Sequence, residues 1–339
     1  MPFALLFAVA ACAASEHAPA PANITAAVPG TAATTAAHPS QPSRPQPGDD
    51  WPENAPSPEQ VLYDQPRLLE STLARLAPRA PGKVNLYAIA FAGDGSENVF
   101  RNEAEYFRNL FEQRFGAKGH VVVLENNPAT LESQPLATWT NLEDTLDAMA
   151  GKMDPAQDIL LLYFTTHGSG DHTLLVDMGP LPLDQIGAAD LPGILAGHPF
   201  RYKVVIVNAC YSGGFIPPLR GDGTLVITSA RADRSSFGCG EQSTLTWFGH
   251  AFLVDALNKT ADFQRAFDLA RREIAGWEIR DGFEASEPQI AFGKAIHAQL
   301  ARWHSGFTVG APVAFEAPRT PAERGSDAVR TTAAKPRIH

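Results

Sequence analysis

Two stretches limit what this chain can fold into: "DILLLYFTTHG" at 158–168 and "YKVVIVNACYSGG" at 202–214. Each is a continuous apolar run, without polar alternation, that stops abruptly at small and polar residues. Runs of this kind read as strands buried on both faces, which requires helices above and below the sheet. "VNLYAIAFAG" (84–93), "HVVVLEN" (120–126) and "GTLVITSA" (223–230) have the same character, and "PQIAFG" (288–293) is short enough for an edge strand. Helical periods fall between them. In "RNEAEYFRNLFEQRFG" (101–116), Ala104, Phe107, Leu110, Phe111 and Phe115 share one face, and Gly116 is the stop. "TNLEDTLDAMAGKM" follows with a cap expected at Thr140 or Asn141, then a helix near 188–197. "TLTWFGHAFLVDAL" and "TADFQRAFDLARREIAGW" complete the set. "HTLLVDMGPLPLDQI" reads as a short hairpin and turn. This alternation predicts an α/β fold with three α/β/α layers and a mostly parallel central sheet.

The flanks differ in composition. "MPFALLFAVAACAASEH" is apolar from Phe3 to Ala14, too short to span a bilayer, and is expected to be a secretory signal. Small residues precede Cys12 in "VAAC", which resembles a bacterial lipobox, so residues 1–12 are expected to be a lipoprotein-type signal and Cys12 the lipidated thiol. From 13 to 59 the chain is Ala-, Pro- and Thr-rich with few large apolar residues, and 311–339 is similar. Such segments cannot bury enough surface to offset the entropy of ordering, so both are expected to be disordered. The folded part is therefore placed at 60–310. A formal charge of -10 with no basic patch speaks against nucleic acid as a partner.

In open sheets of this kind, sites form at the carboxyl ends of strands. There the two constraining runs deliver His167 and Cys210. A thiolate is the strongest ordinary nucleophile near neutral pH, and an imidazole beside it can take and return its proton. The N–H groups of Gly168 and Cys210 are candidates to face a developing oxyanion. Gly213 and Gly214 are expected to leave room for a substrate chain.

Other chemistries compete for the same residues. "THGSGDH" partly resembles the metal loop of metallo-β-lactamase-like hydrolases, offering His167, Asp171 and His172. Ser169 replaces the middle His, which removes a ligand from a site that needs at least three. "CYSGG" lacks the Gly-x-Ser-x-Gly spacing of a serine nucleophile elbow. The Cys-His reading needs no cofactor and no metal. A lipid-tethered peptide-binding module that has lost turnover is the alternative from another class.

Together, "LLLYFTTHGSG" and "VVIVNACYSGG" resemble the paired strand ends of clan CD cysteine peptidases, in which one strand ends in His-Gly and the next in Ala-Cys. Within the clan the chain is most similar to bacterial members of the legumain family. "VFRNEAEYF" resembles that family's Tyr-Arg-His-x-Ala segment, and "ITSARADRSSFGC" its stretch before Ser-Ser-Tyr/Phe. The resemblance runs over about 84–260. It implies a caspase-like fold and cysteine endopeptidase activity on a peptide or protein substrate, with transpeptidation or ligation as a variant outcome. By position, Cys210 would be the nucleophile and His167 the general base and acid. Arg101, whose plain reading is a solvated helix residue, would bind an Asn or Asp side chain in the S1 pocket. Ser229 and Asp233 would line the cleft wall after the fifth strand. The sequence departs from the family at three places. Tyr211 replaces the acidic residue after the nucleophile, Asn102 replaces the His after the pocket Arg, and Val99 stands where eukaryotic members carry a catalytic Asn. A third catalytic group is thus unassigned.

The expected location is the cell envelope, lipid-anchored and facing the periplasm, with the outer membrane favoured by Ala13 after the Cys. Growth with labelled palmitate should label the protein, and Cys12→Ser should abolish the label.

Overall fold

The computed structural model describes residues 51–240 and 243–317. The signal, Cys12 and the tail beyond 317 lie outside the described residues. The chain begins with α1 (Pro58–Leu73), which the sequence reading did not identify. It is started by Ser57, whose hydroxyl accepts the Gln60 N–H, and by Pro58 in the first turn. There follow β1 (Leu86–Ala92), α2 (Asn98–Arg114), β2 (Val121–Glu125), α3 (Trp139–Lys152) and β3 (Ile159–Thr165). A small hairpin of β4 (Thr173–Leu174) and β5 (Ile186–Gly187) leads to α4 (Leu191–Ala196) and β6 (Tyr202–Asn208). Beyond a tight turn over Ser212–Phe215 come α5 (Ile216–Leu219) and β7 (Thr224–Thr228). The short α6 (Trp247–Gly249) continues as a π-helical stretch to Ala256. The chain then runs through α7 (Phe263–Asp281), β8 (Gln289–Phe292) and α8 (Lys294–Ser305). α8, like α1, was not expected.

The six-stranded sheet has the order β2-β1-β3-β6-β7-β8. Every pairing is parallel except β7 with β8, so "PQIAFG" is the antiparallel edge. All seven positions of β1 and of β3 are buried, as their unbroken apolar runs require. One face packs against α2, the 247–256 helix, α7 and α8 through residues such as Phe107, Phe111, Phe252, Phe267 and Trp303. The other face packs against α1, α3, α4 and α5 through Leu69, Leu146, Ile194 and Leu219. This is the expected α/β/α layering.

Three local expectations change. The cap of α3 is Thr138, whose hydroxyl accepts the Asn141 N–H, not Thr140 or Asn141. Packing also extends past both expected boundaries of 60–310. Trp51 donates to the Pro56 carbonyl and packs with Val61, Leu131, Leu136 and Met178. At the other end, Val313 exchanges hydrogen bonds with the Asn258 side chain, and Phe315 meets Tyr106 edge-on at 5.5 Å. A few apolar residues inside a Pro/Ala-rich stretch suffice when a groove on the domain accepts them.

Glu125 ends β2 fully buried, with neither carboxylate oxygen hydrogen-bonded among the described residues. Burial, reinforced by Glu105, pushes its carboxyl up to about 8. A carboxyl raised in the folded state stabilises fully below its unfolded value, and that stability is lost as pH rises through the folded one. Melting temperature is therefore expected to fall between about pH 4.5 and 8. Glu125→Gln should flatten that decline and leave the protein more stable than the parent above pH 8, measured by thermal denaturation across pH.

Candidate active site

Strands β3 and β6 are neighbours in register, and their last ladder pair is Thr165 with Asn208. The next N–H, that of Thr166, still donates to the Asn208 carbonyl at 3.2 Å. Two residues beyond this level on each strand stand His167 and Cys210. At Gly168 a Cβ would lie 2.2 Å from the Cys210 carbonyl oxygen, so only glycine lets the two strand ends come this close. The Leu174 and Leu175 segment pairs with the far side of the turn, with the Leu175 N–H donating to the His167 carbonyl. Among the described residues, neither the Gly168 N–H nor the Cys210 N–H donates a hydrogen bond.

The imidazole is a third exposed, with Nε2 3.5 Å from Asp94 Oδ2 and 3.6 Å from Glu97 Oε1. Phe100 meets the ring edge-on at 5.1 Å. Asp94 and Glu97 come from "GDGSE", the loop after β1, which the sequence reading passed over. Asp94 is buried and held by the Ser96 N–H on its other oxygen. Two carboxylates on Nε2 favour a proton there and leave Nδ1 free to act as a base. Val99, the position matching the family's Asn, is buried in the core and has no polar group to offer.

The Cys210 sulfur is half-buried, receives the Ser236 N–H at 3.3 Å and can donate to the Ser236 carbonyl at 3.6 Å. Cys210 and Cys239 are both free thiols. Burial, with Cys210, Glu97 and Glu103 adding, pushes the Cys239 thiol up to about 11, so Cys239 is uncharged near neutrality. Tyr211, after the nucleophile candidate, has φ 57° in the left-handed region, and its N–H donates to the Arg234 carbonyl at 2.7 Å. Its own carbonyl is 3.1 Å from His172 Nδ1.

His172 and Asp171 have their own hydrogen-bond partners. His172 clamps the His-Gly loop onto the Cys210 turn, and Asp171 is exposed and accepts the Ser169 hydroxyl. Among the described residues, no group of three His, Cys, Asp or Glu side chains converges as a metal site would require.

Several expected roles need correction. Gly213 and Gly214 do not open space for substrate: a Cβ would meet the Ala232 nitrogen at 2.4 Å and the His172 ring at 2.1 Å. Ser229 is buried, not on the cleft wall. Its hydroxyl accepts the Ala209 N–H and donates to the Ala209 carbonyl, each at 3.0 Å, which fixes the backbone just before Cys210. Asp233 is exposed and its carboxylate is taken by Arg231, which holds it below the usual carboxylate range. Arg101 is buried instead of solvated, donating to Asn127 Oδ1 at 3.3 Å and Asn102 Oδ1 at 3.0 Å.

Beneath the strand ends lies Glu103, which has no exposed surface. Its Oε2 accepts from the Tyr163 hydroxyl at 2.8 Å, the Thr165 hydroxyl at 2.7 Å and the Asn208 amide at 2.8 Å. Its Oε1 accepts the Thr246 N–H at 2.7 Å, and Gly249 gives it room. Thr165 and Asn208 are the very pair that sets His167 level with Cys210.

Residues 148–299 match the Peptidase C13 family. No curated protein matches the chain. Among solved structures, caspase-1 from Spodoptera frugiperda is similar at 15% identity, covering 64% of this chain and 94% of that one, with a TM-score of 0.41. The chain has a three-layer α/β/α fold with a largely parallel central sheet, and part of its length, 148–299, matches the Peptidase C13 family.

Glu103→Gln replaces an acceptor of several donors with a group that is half donor, leaving Asn208 or its neighbours unpaired. Stability should fall by roughly 1–3 kcal/mol, the cost of a buried unsatisfied polar group. Denaturant titration beside Glu103→Asp would measure it.

Proposed function

We propose that the chain is a cysteine-type endopeptidase working through Cys210 and His167. The observation that carries this reading is the shared level of the two residues on adjacent parallel strands, with the Gly168 backbone against the Cys210 carbonyl. The family match over 148–299 includes both of them.

In this mechanism His167 Nδ1 takes the Cys210 proton and the sulfur attacks the peptide carbonyl carbon. The carbonyl oxygen gains charge opposite the N–H groups of Gly168 and Cys210. The imidazolium then gives its proton to the leaving amine as the C–N bond breaks, leaving a thioester. Water, deprotonated by the same imidazole, releases the acid. Asp94 and Glu97 orient the ring through Nε2 and offset the imidazolium charge. They take the place of the third group that the sequence left unassigned.

Arg101 supplies the S1 preference for Asn or Asp in this reading. Support comes from its fixed orientation between Asn127 and Asn102. The Cys12 anchor and the periplasmic location rest on "VAAC" alone.

Cys210→Ala and His167→Ala should each remove nearly all peptide hydrolysis with the melting temperature little changed. Asp94→Asn combined with Glu97→Gln should lower kcat roughly 100-fold with KM nearly constant, within the range of general acid–base contributions. A peptide series varied only at P1 should favour Asn or Asp, and Arg101→Glu should erase that preference. Turnover that survives Cys210→Ala would sink the assignment.

A further inference from the structure

A cleft of about 870 Å³ lies around the open edge of the sheet and is lined by no residue of the candidate active site. Its floor is β8, which pairs with β7 alone. The Gly293 N–H donates to the Thr224 carbonyl, which fixes the phase of this antiparallel pair. Main-chain groups of Gln289 and Ala291 therefore turn toward β7, and those of Ile290 and Phe292 turn outward. Residues of β8 are half-buried, so the edge is recessed between walls. One wall comes from α7 and the other from the end of α5, on opposite faces of the sheet.

The walls carry three exposed arginines, Arg220, Arg271 and Arg272. None of the three forms an ion pair among the described residues. The two carboxylates in the cleft are already used. Glu278 is buried and accepts the Ser286 N–H at 2.8 Å, and Glu287 is paired with Arg231 at 2.5 Å. Three guanidinium groups thus surround a recessed strand edge in a chain whose formal charge is -10.

We propose that this cleft is an exosite that takes an extended acidic peptide segment of a partner or substrate protein as an added strand on β8. Main-chain hydrogen bonds to Ile290 and Phe292 supply the docking, and Arg220, Arg271 and Arg272 select acidic side chains. Charge decides against a second copy of this chain as occupant. Two-fold pairing of β8 with itself would bring two sets of the same arginines to one interface.

The test uses the full chain and a capped, fluorescent peptide alternating Val with Glu, followed by anisotropy. Saturable binding is expected, weakening as salt rises. Arg271→Glu with Arg272→Glu should weaken it at least roughly tenfold, as expected for reversing two exposed attractions. Hydrolysis of a short P1 substrate should be unaffected, which separates this site from Cys210. The same peptide N-methylated at alternate amides should bind poorly, an arm that leaves the protein untouched. Equal binding of a Val/Lys peptide, full affinity of the N-methylated one, or absence of saturation would each overturn the proposal. Displacement of the peptide by a Cys210-directed acyl probe would also overturn it, assigning the binding to the active site. Sedimentation showing a dimer through β8 would assign the face to a second copy instead.

Discussion

Glu103 is a charged side chain placed where charge is costly, and the surroundings are built to repay that cost. Four donors from β3, β6 and the start of the 247–256 helix converge on its two oxygens. A buried carboxylate with so many partners acts as a geometric fastener, since any displacement of one strand leaves donors and acceptor unpaired in a low-dielectric interior. It also keeps Tyr163 protonated, because burial and the adjacent negative charge hold that phenol well above its ordinary range. The side chain belongs to α2, so the helix, two central strands and a second helix are tied at a single point directly under His167 and Cys210.

Above that fastener, each strand end is held by its own local contacts. The β6 end is gripped by Ser229 on Ala209 and by Ser236 on the sulfur. The β3 end is gripped by the pairing of Gly168 with Leu174 and by the His172 contact to the Tyr211 carbonyl. The β1 loop then brings Asp94 and Glu97 to the far side of the imidazole. The strand order reverses between β1 and β3, and the segments that follow these two strands carry Asp94, Glu97 and His167, while Cys210 follows β6 on the other side of β3.

The sequence made the sheet legible because strands buried on both faces must be unbroken apolar runs, and these were the residues that could be nothing else. His167 and Cys210 were legible for the same reason: a polar group that interrupts such a run at its carboxyl end has few structural uses. Asp94, Glu97 and Glu103 were not. A "GDGSE" turn looks like any solvated loop, and a Glu on an amphipathic helix looks exposed until its partners, sixty or more positions away, are in place. Ser229 was placed on the right strand end with the wrong task, because sequence position says nothing of which way a hydroxyl turns. α1 and α8 were missed where polar residues such as Gln65 and Gln299 take buried positions through specific hydrogen bonds.

The register between β3 and β6 has a consequence for how such chains can diverge. The alignment of imidazole with thiol is set by the ladder pairs of the strands and by Glu103 of α2 beneath them. Among the described residues, α4 and the stretch from it to β6 make none of these contacts. Insertions or deletions there can change the separation of His167 and Cys210 along the chain without altering their separation in space. Distant relatives are therefore better sought by the composition of the two strand ends and the buried acid beneath them than by any fixed interval between the two motifs.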